Sequence, residues 1–272
     1  MTNRSILRIR TIGSDPTVAF AGAELERILR RMTAGTVVCL SGLDPRPEAD
    51  TLVVGCAEAF PDVVLPEVAD AKLDDAIALD IRNRCGIIVG ANPRATLIAA
   101  YRYLFELGCR WVRPGDDGEL IPECNDPLSC DISLSEAPEC RHRGLAIEGA
   151  CSAEHVAALI DWLPKVGMNT YFIEYFCGYI FYNNWYSERH KACNRRALMP
   201  EEQAAELAER AIVEIKRRSL LFHRAGHGWT CMPLGIPPEL WDEPIERDFG
   251  EQTRHIALYQ GKRAMYHGIP RR

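Results

Sequence analysis

The chain has 272 residues, 47% hydrophobic and 26% charged, with a net charge of −6. That is enough for two modest domains, each able to bury a core without disulfides. The acidic balance argues against a nucleic-acid binder, no apolar run approaches the roughly 18 residues of a membrane span, and the opening "MTNRSILRIRTIG" lacks the apolar core of a secretory signal.

Eleven cysteines are an odd number at irregular spacing, with no Cys-x-x-Cys pair. They read as reduced thiols in a cytoplasmic protein rather than as a disulfide framework. Cys124, Cys130 and Cys140 lack the paired spacing of a zinc site. No cofactor motif stands out. "VGANPRATLIAAY" has neither Gly-x-Gly-x-x-Gly nor the lysine of a phosphate loop.

Along the first half, strands and helices alternate. "SILRIRTI" is strand-like, and "TVAFAGAELERILRRMTA" sets Phe20, Leu25, Ile28, Leu29 and Met32 on one helical face. "GTVVCL" and "TLVVGCA" are short valine-rich runs typical of buried strands. "DAIALDIRNRCGIIVGAN" reads as two strands joined by a tight turn at Asn83-Arg84. "PRATLIAAYRYLFELG" is helical, with Leu97, Ile98, Tyr101, Leu104 and Phe105 on one side, Pro93 in the first turn and Gly108 at the stop. The segment from Cys109 to Glu139, rich in Pro, Gly, Asp and Ser, reads as a connector with one or two short strands. A domain boundary is expected near Glu136, giving an α/β domain over 1–136 and a second domain over 137–272.

The pattern then restarts. "RHRGLAIEGA" is a strand, and "SAEHVAALIDWLPKVG" a helix capped by Ser152 with Val156, Leu159, Ile160, Leu163 and Val166 inward. "MNTYFIEYF" is a second strand. A long loop follows, then the helix "MPEEQAAELAERAIVEIKRRS", which starts at Pro200 with Glu201 and Glu202 favourable to its dipole. "LLFHRAG" is a third strand and "EQTRHIALYQGKRAMYHG" a third helix. This β-α order is that of a parallel sheet.

In parallel α/β folds the site lies in the loops at the carboxyl ends of the strands. The three strand ends carry Glu148, then Glu174, then His223 with His227 and Trp229. The loop after the second strand adds Tyr179, Phe181, Tyr182, Trp185 and Tyr186 beside Asn183 and Asn184. Aromatic faces and amides suit sugar rings and hydroxyls; equally, such a loop buries its own rings. His223 and His227 have the spacing of a helical metal pair, yet Gly226 and Gly228 break any helix there and no metalloprotease glutamate accompanies them.

"CRHRGLAIEGACSAEHVAALIDWLPKVGMNTYFIEY" resembles the first β-α-β of beta-hexosaminidase-type glycoside hydrolases, and "MPEEQAAELAERAIVEIKRRSLLFHRAGHGW" resembles their next helix and strand. "GANPRATLIAAYRYLFELGCRWVRPGDDGELIP" is similar to the small α/β domain that precedes the barrel in hexosaminidases and alpha-glucuronidases. The resemblance runs from about residue 35 to 267. It implies a small N-terminal α/β domain followed by the first three β/α units of an incomplete (β/α)8 barrel. It implies further that Arg143 binds substrate hydroxyls, that Glu148 closes the first strand, and that His227 stands for the histidine of a Pro-Gly-His turn, with Ala225 where the proline would be. Strict alternation places Arg143 and Glu148 on opposite faces, so both reach one site only around a bulge or a strand end.

The catalytic Asp-Glu pair of those enzymes closes a fourth strand, and no counterpart is found here. The half after residue 136 is shorter than the roughly 250 residues a full barrel occupies. The expectation is therefore a truncated enzyme: the N-terminal portion of a glycoside hydrolase, with Arg143, Glu148, Glu174, His223, His227 and Trp229 lining a carbohydrate site and no turnover of its own. Self-association through an open sheet edge is a corollary. A non-catalytic carbohydrate-binding or scaffold protein and a small metalloenzyme using His223 and His227 remain open.

Overall fold

The computed structural model describes residues 6–33, 36–173, 178–186, 197–224, 258–259 and 262–263. Strands β1 (Leu7–Ile12), β2 (Val37–Gly42), β3 (Thr51–Cys56), β4 (Ile77–Arg82), β5 (Cys85–Gly90) and β8 (Ile132–Glu136) form one sheet in the order β2-β1-β3-β5-β4-β8. The first four in that order pair in parallel; β4 is antiparallel to β5, and β8 to β4. The β4–β5 turn is the one read from the sequence. Asn83 and Arg84 both have positive φ, 51° and 62°, as a two-residue hairpin with right-handed strand twist requires.

Helices α1 (Pro16–Met32) and α2 (Pro93–Glu106) cover one face of this sheet. Asp15 caps α1 by accepting from the Thr17 N–H at 2.8 Å, and Asn92 caps α2 by accepting from the Ala95 N–H at 2.9 Å. Alternation sorts the strands. Ile9, Leu52, Val54 and Ile88 meet Leu25, Ile28, Leu29, Leu97, Tyr101 and Leu104. Val53 and Val89 point the other way and join Ile12 and Phe60 in a small second cluster. Phe105, expected on the inward face of α2, is 42% exposed. It lies in the last turn of α2, and the Arg102 and Arg110 guanidiniums sit over its ring. Gly108 ends the helix with φ +95°, the left-handed geometry glycine tolerates best.

The stretch read as a connector is structural. It holds the hairpin β6 (Arg110–Trp111) and β7 (Glu119–Leu120) as well as β8, and it sends Cys109, Trp111, Leu128 and Ile132 into the main core. Its turn-forming composition hid this, because two-residue strands carry no period to read.

A second sheet has the order β11-β10-β9, from β9 (Gly144–Ile147), β10 (Thr170–Ile173) and β11 (Leu221–Arg224). Helix α3 (Ala153–Lys165) lies between the first two strands in sequence. Helices α4 (Gly178–Asn183) and α5 (Glu201–Arg217) lie between the second and third. Val156, Leu159, Ile160 and Leu163 of α3 are buried as their spacing predicts; Val166 lies past the helix end and is 38% exposed. Ala204, Ala208, Ala211 and Ile215 form the buried stripe of α5. The fold is thus α/β: a small N-terminal α/β domain, then strands and helices in the order that opens a (β/α)8 barrel. Where a helix was expected over 251–268, the described residues instead form an antiparallel pair, β12 (Leu258–Tyr259) with β13 (Lys262–Arg263). Gly261 disfavours a helix through that stretch.

The chain divides into two compact units. The first comprises Met1–Leu145, Glu154–Tyr171 and Glu209–Phe222; the second comprises Ala146–Ala153, Phe172–Ala208 and His223–Arg272. Two ionic networks bind the first unit together. Asp75, whose side chain is 1% exposed, accepts from Arg94 at 2.8 Å, from Arg143 at 2.8 Å and from Asn169 at 2.6 Å. Glu119, 2% exposed, accepts from Arg27 at 3.2 Å, Arg31 at 2.5 Å and Lys165 at 2.9 Å. Asp161 continues this second network to Lys165 at 2.5 Å and Arg218 at 2.7 Å. Asp75 meets two cations and Glu119 three, the arrangement that makes burial of charge tolerable.

Candidate functional site

The second unit contains the carboxyl ends of β9 and β10, the start of the loop after β9, and an aromatic segment that folds onto that loop. The sequence from Cys177 to Leu198 reads as a loop, yet it contains α4 and a single 3-10 turn over Asn184–Tyr186. Three hydrogen bonds fasten this segment to the end of β9. The Ala150 N–H donates to the Phe181 carbonyl at 2.8 Å, the Trp185 indole N–H to the Gly149 carbonyl at 2.8 Å, and the Tyr186 hydroxyl to the Cys151 carbonyl at 2.8 Å.

The segment is anchored from below as well. Phe181 and Tyr182 are fully buried and meet edge to face at 5.1 Å, a favourable ring geometry. The Asn183 amide clasps the Met199 backbone, accepting from its N–H at 2.7 Å and donating to its carbonyl at 3.0 Å. Gly178 sits on α5: a methyl group there would lie 2.9 Å from Ala208 Cβ. Gly149 allows the closest approach, since a Cβ at that position would lie 2.6 Å from Trp185 Nε1 and 2.9 Å from Cδ1. The reading in which the loop buries its own rings thus holds for two of them. Two rings are buried as anchors, Tyr179 is exposed, and Trp185 and Tyr186 are half-buried.

The residues singled out in the sequence fall as follows. Glu148 is exposed immediately after β9. His223 is half-buried on β11, its ring stacked beside Phe172 at 6.5 Å and 28°. Arg143 precedes β9, at the other end of that strand from Glu148, and belongs to the first unit. Besides Asp75, it donates to the carbonyls of Gly167 at 2.9 Å and Cys140 at 2.8 Å. Glu174, His227 and Trp229 lie outside the described residues. Among the described residues no group of three His, Cys, Asp or Glu side chains is placed to hold a metal ion, and no helix is long and apolar enough to cross a membrane.

A cavity of about 890 Å³ in the first unit is lined in part by Glu67, Asp74, Asp75, Glu136 and Arg141. Its central charges are already engaged. Asp75 serves the network above, and Arg141 holds Asp74 at 2.6 Å, drawing that carboxyl down to about 2.

Neither Asp75 nor the Gly149–Trp185 contact was singled out from the sequence. Asp75 follows two other charged residues in "KLDD" and looks like ordinary surface. Gly149 had a readable signal: a glycine directly after an acidic residue at a strand end marks close approach by something else.

No protein-family model matches the chain, and no curated protein matches it. Solved structures do resemble it. A GH138 enzyme targeting pectin rhamnogalacturonan II aligns with TM-score 0.54 and 13% identity over 89% of this chain and 27% of its own. A GH115 4-O-methyl-alpha-glucuronidase with specificity for decorated arabinogalactans aligns with TM-score 0.54 and 14% identity over 91% and 32%. The chitobiase of Flavobacterium johnsoniae aligns with TM-score 0.50 and 15% identity over 82% and 31%. The fold is glycoside-hydrolase-like, and the chain spans about a third of the length of these structures.

Proposed function

We propose that this chain is the N-terminal portion of a glycoside hydrolase of the hexosaminidase and alpha-glucuronidase kind, which binds carbohydrate at the carboxyl ends of β9, β10 and β11 and hydrolyses nothing by itself. The reading is supported by a glycoside-hydrolase-like fold that takes in nearly the whole chain, together with the aromatic segment pinned against the end of β9. Fold likeness alone does not carry an activity; the strand-end chemistry is what adds to it. Glu148 and His223 are the described candidates for contact with sugar, and Glu174, His227 and Trp229 complete the proposed set.

Glycosidic cleavage needs an acid at the leaving oxygen and a second group, usually a carboxylate, across the bond. Among the described strand-end residues Glu148 is the one carboxylate, which favours binding without turnover. The test is to titrate the purified chain with methyl glycosides and short oligosaccharides by calorimetry, and in parallel to incubate it with p-nitrophenyl glycosides. Saturable binding with no p-nitrophenol release is expected. Release that Glu174→Gln abolishes would place a working catalytic group in this chain and overturn the proposal.

A further inference from the structure

We propose that Ser219 is a positioning residue for the carbohydrate site: gripped by the first turns of α1 and α2, it fixes where β11 starts and therefore where His223 stands. This rests on the reading above of His223 as a sugar contact. It makes the N-terminal α/β domain an integral support of that site.

Helix α5 ends in a Schellman stop. The Leu220 N–H donates to the Ile215 carbonyl at 3.1 Å, and the Ser219 N–H donates to the Lys216 carbonyl at 2.9 Å. That stop puts Ser219 in the left-handed region, with φ 51°. Glycine is favoured there, because a Cβ crowds the backbone in that conformation. The serine hydroxyl offsets this cost. It shares a hydrogen bond of 2.8 Å with the hydroxyl of Thr17, which is 1% exposed in the first turn of α1. The Ser219 carbonyl is held too, accepting from Arg94 in the first turn of α2 at 3.3 Å. Arg94 is fixed in turn by Asp75 and by the Leu73 carbonyl, each at 2.8 Å.

The neighbours of Ser219 are tied down on either side. Arg218 donates to Asp161 of α3 at 2.7 Å, and its guanidinium lies 4.9 Å from the Phe20 ring centroid. The Leu221 N–H donates to the Asn169 carbonyl at 2.8 Å. Capping within α5 sets the shape of the turn; the Thr17 and Arg94 bonds set its place. Strand β11 begins directly after it, and His223 is the third residue of that strand. A slip of one residue at a strand's start turns every side chain to the other face. In the strand as held, the His223 ring lies beside Phe172.

The experiment uses the full chain labelled with carbon-13 and nitrogen-15 histidine, the His223 ring resonance being assigned by its loss in His223→Gln. The probes are the methyl β-pyranosides of glucose, galactose and N-acetylglucosamine. Ser219→Gly removes the hydroxyl and relieves the left-handed backbone, two effects of opposite sign on stability. Its unfolding midpoint should stay close to that of the parent, yet the His223 resonance should move. Affinity for a probe that the parent binds should fall about fivefold. Thr17→Val should move the resonance and the affinity in the same way from the α1 side. Thr17→Ser keeps the hydroxyl and should restore both, which a fold-stability role alone does not require. An unmoved His223 resonance in folded Ser219→Gly and Thr17→Val refutes the positioning role. A resonance that moves while sugar affinity holds refutes the link to the site and leaves carbohydrate binding to other residues. A parent chain that binds none of the probes overturns the carbohydrate reading, and this inference with it.

Discussion

Arg143→Ala separates a structural arginine from a sugar-binding one. Its guanidinium donates to Asp75 at 2.8 Å, to the Gly167 carbonyl at 2.9 Å and to the Cys140 carbonyl at 2.8 Å, with the side chain 19% exposed. Hydrogen bonds to charged groups are worth about 1.5–3 kcal/mol when buried, and the Cys140 contact is exposed and counts for less. Asp75 keeps Arg94 and Asn169, so the deletion leaves no wholly unpaired buried charge. The loss should be about 2–4 kcal/mol, short of the 3–5 kcal/mol for a buried pair broken outright. Measured by urea unfolding with a slope of about 2–3 kcal/mol per molar, the midpoint should fall by roughly 1 M with the slope unchanged. Sugar affinity of the folded variant should stay within about twofold, since a half-unit of kcal/mol is all that indirect loosening supplies. An unmoved midpoint combined with a large loss of sugar binding would refute this reasoning and give Arg143 the substrate role that the family resemblance implies.

Further outcomes follow from the same structure. Burial alone would raise the Glu119 pKa, but Arg27 and Lys165 outweigh it and hold the carboxyl well below its ordinary 4.5. Its contribution is thus complete above that value and is lost as pH falls below it toward the depressed folded value, so Glu119→Gln should lower stability near neutrality and flatten the acid decline between about pH 4.5 and pH 3; parallel profiles for variant and parent would contradict the network. Gly149→Ala should push the indole off the β9 end and cost about 1–3 kcal/mol by overpacking, seen in 5-fluorotryptophan-labelled protein as a shifted fluorine resonance of Trp185 (the one lost in Trp185→Phe) together with a lower unfolding midpoint; an unshifted resonance would show that the contact is not tight. Cys140 and Cys151 are exposed, whereas Cys109 is buried with its thiol pushed up to about 11 by burial. Peptide mapping after brief maleimide treatment should find label on the first two and none on Cys109 until denaturant is added; early label on Cys109 would contradict its burial.

Much of the fold was legible because its signals are local. The α1 face, the Asn83-Arg84 hairpin and the helix starts at Pro93 and Ala153 depend on periodicity and on turn chemistry within a few residues. What escaped depends on partners far along the chain. Trp111 and Glu119 lie in a run of turn-formers, and contact with Tyr101 for the one and with Arg27 and Lys165 for the other makes that run part of the folded unit. Asp75 gains its role from Arg94, Arg143 and Asn169, up to 94 residues away. Of the candidate site, Glu148 after β9, His223 on β11 and the aromatic loop residues between Tyr179 and Tyr186 could be picked out from the sequence. The division of that loop into buried anchors and a half-exposed ring was not, because Phe181, Tyr182 and Trp185 are alike in composition and differ only in what they touch.

The central claim is carbohydrate binding at the carboxyl ends of β9–β11, and a calorimetric titration of the intact chain with neutral methyl glycosides and their short oligosaccharides tests it most directly. The account predicts saturable one-site binding that Glu148→Gln weakens while the unfolding midpoint moves little. Absence of heat with every sugar, from protein shown to be folded, would contradict it.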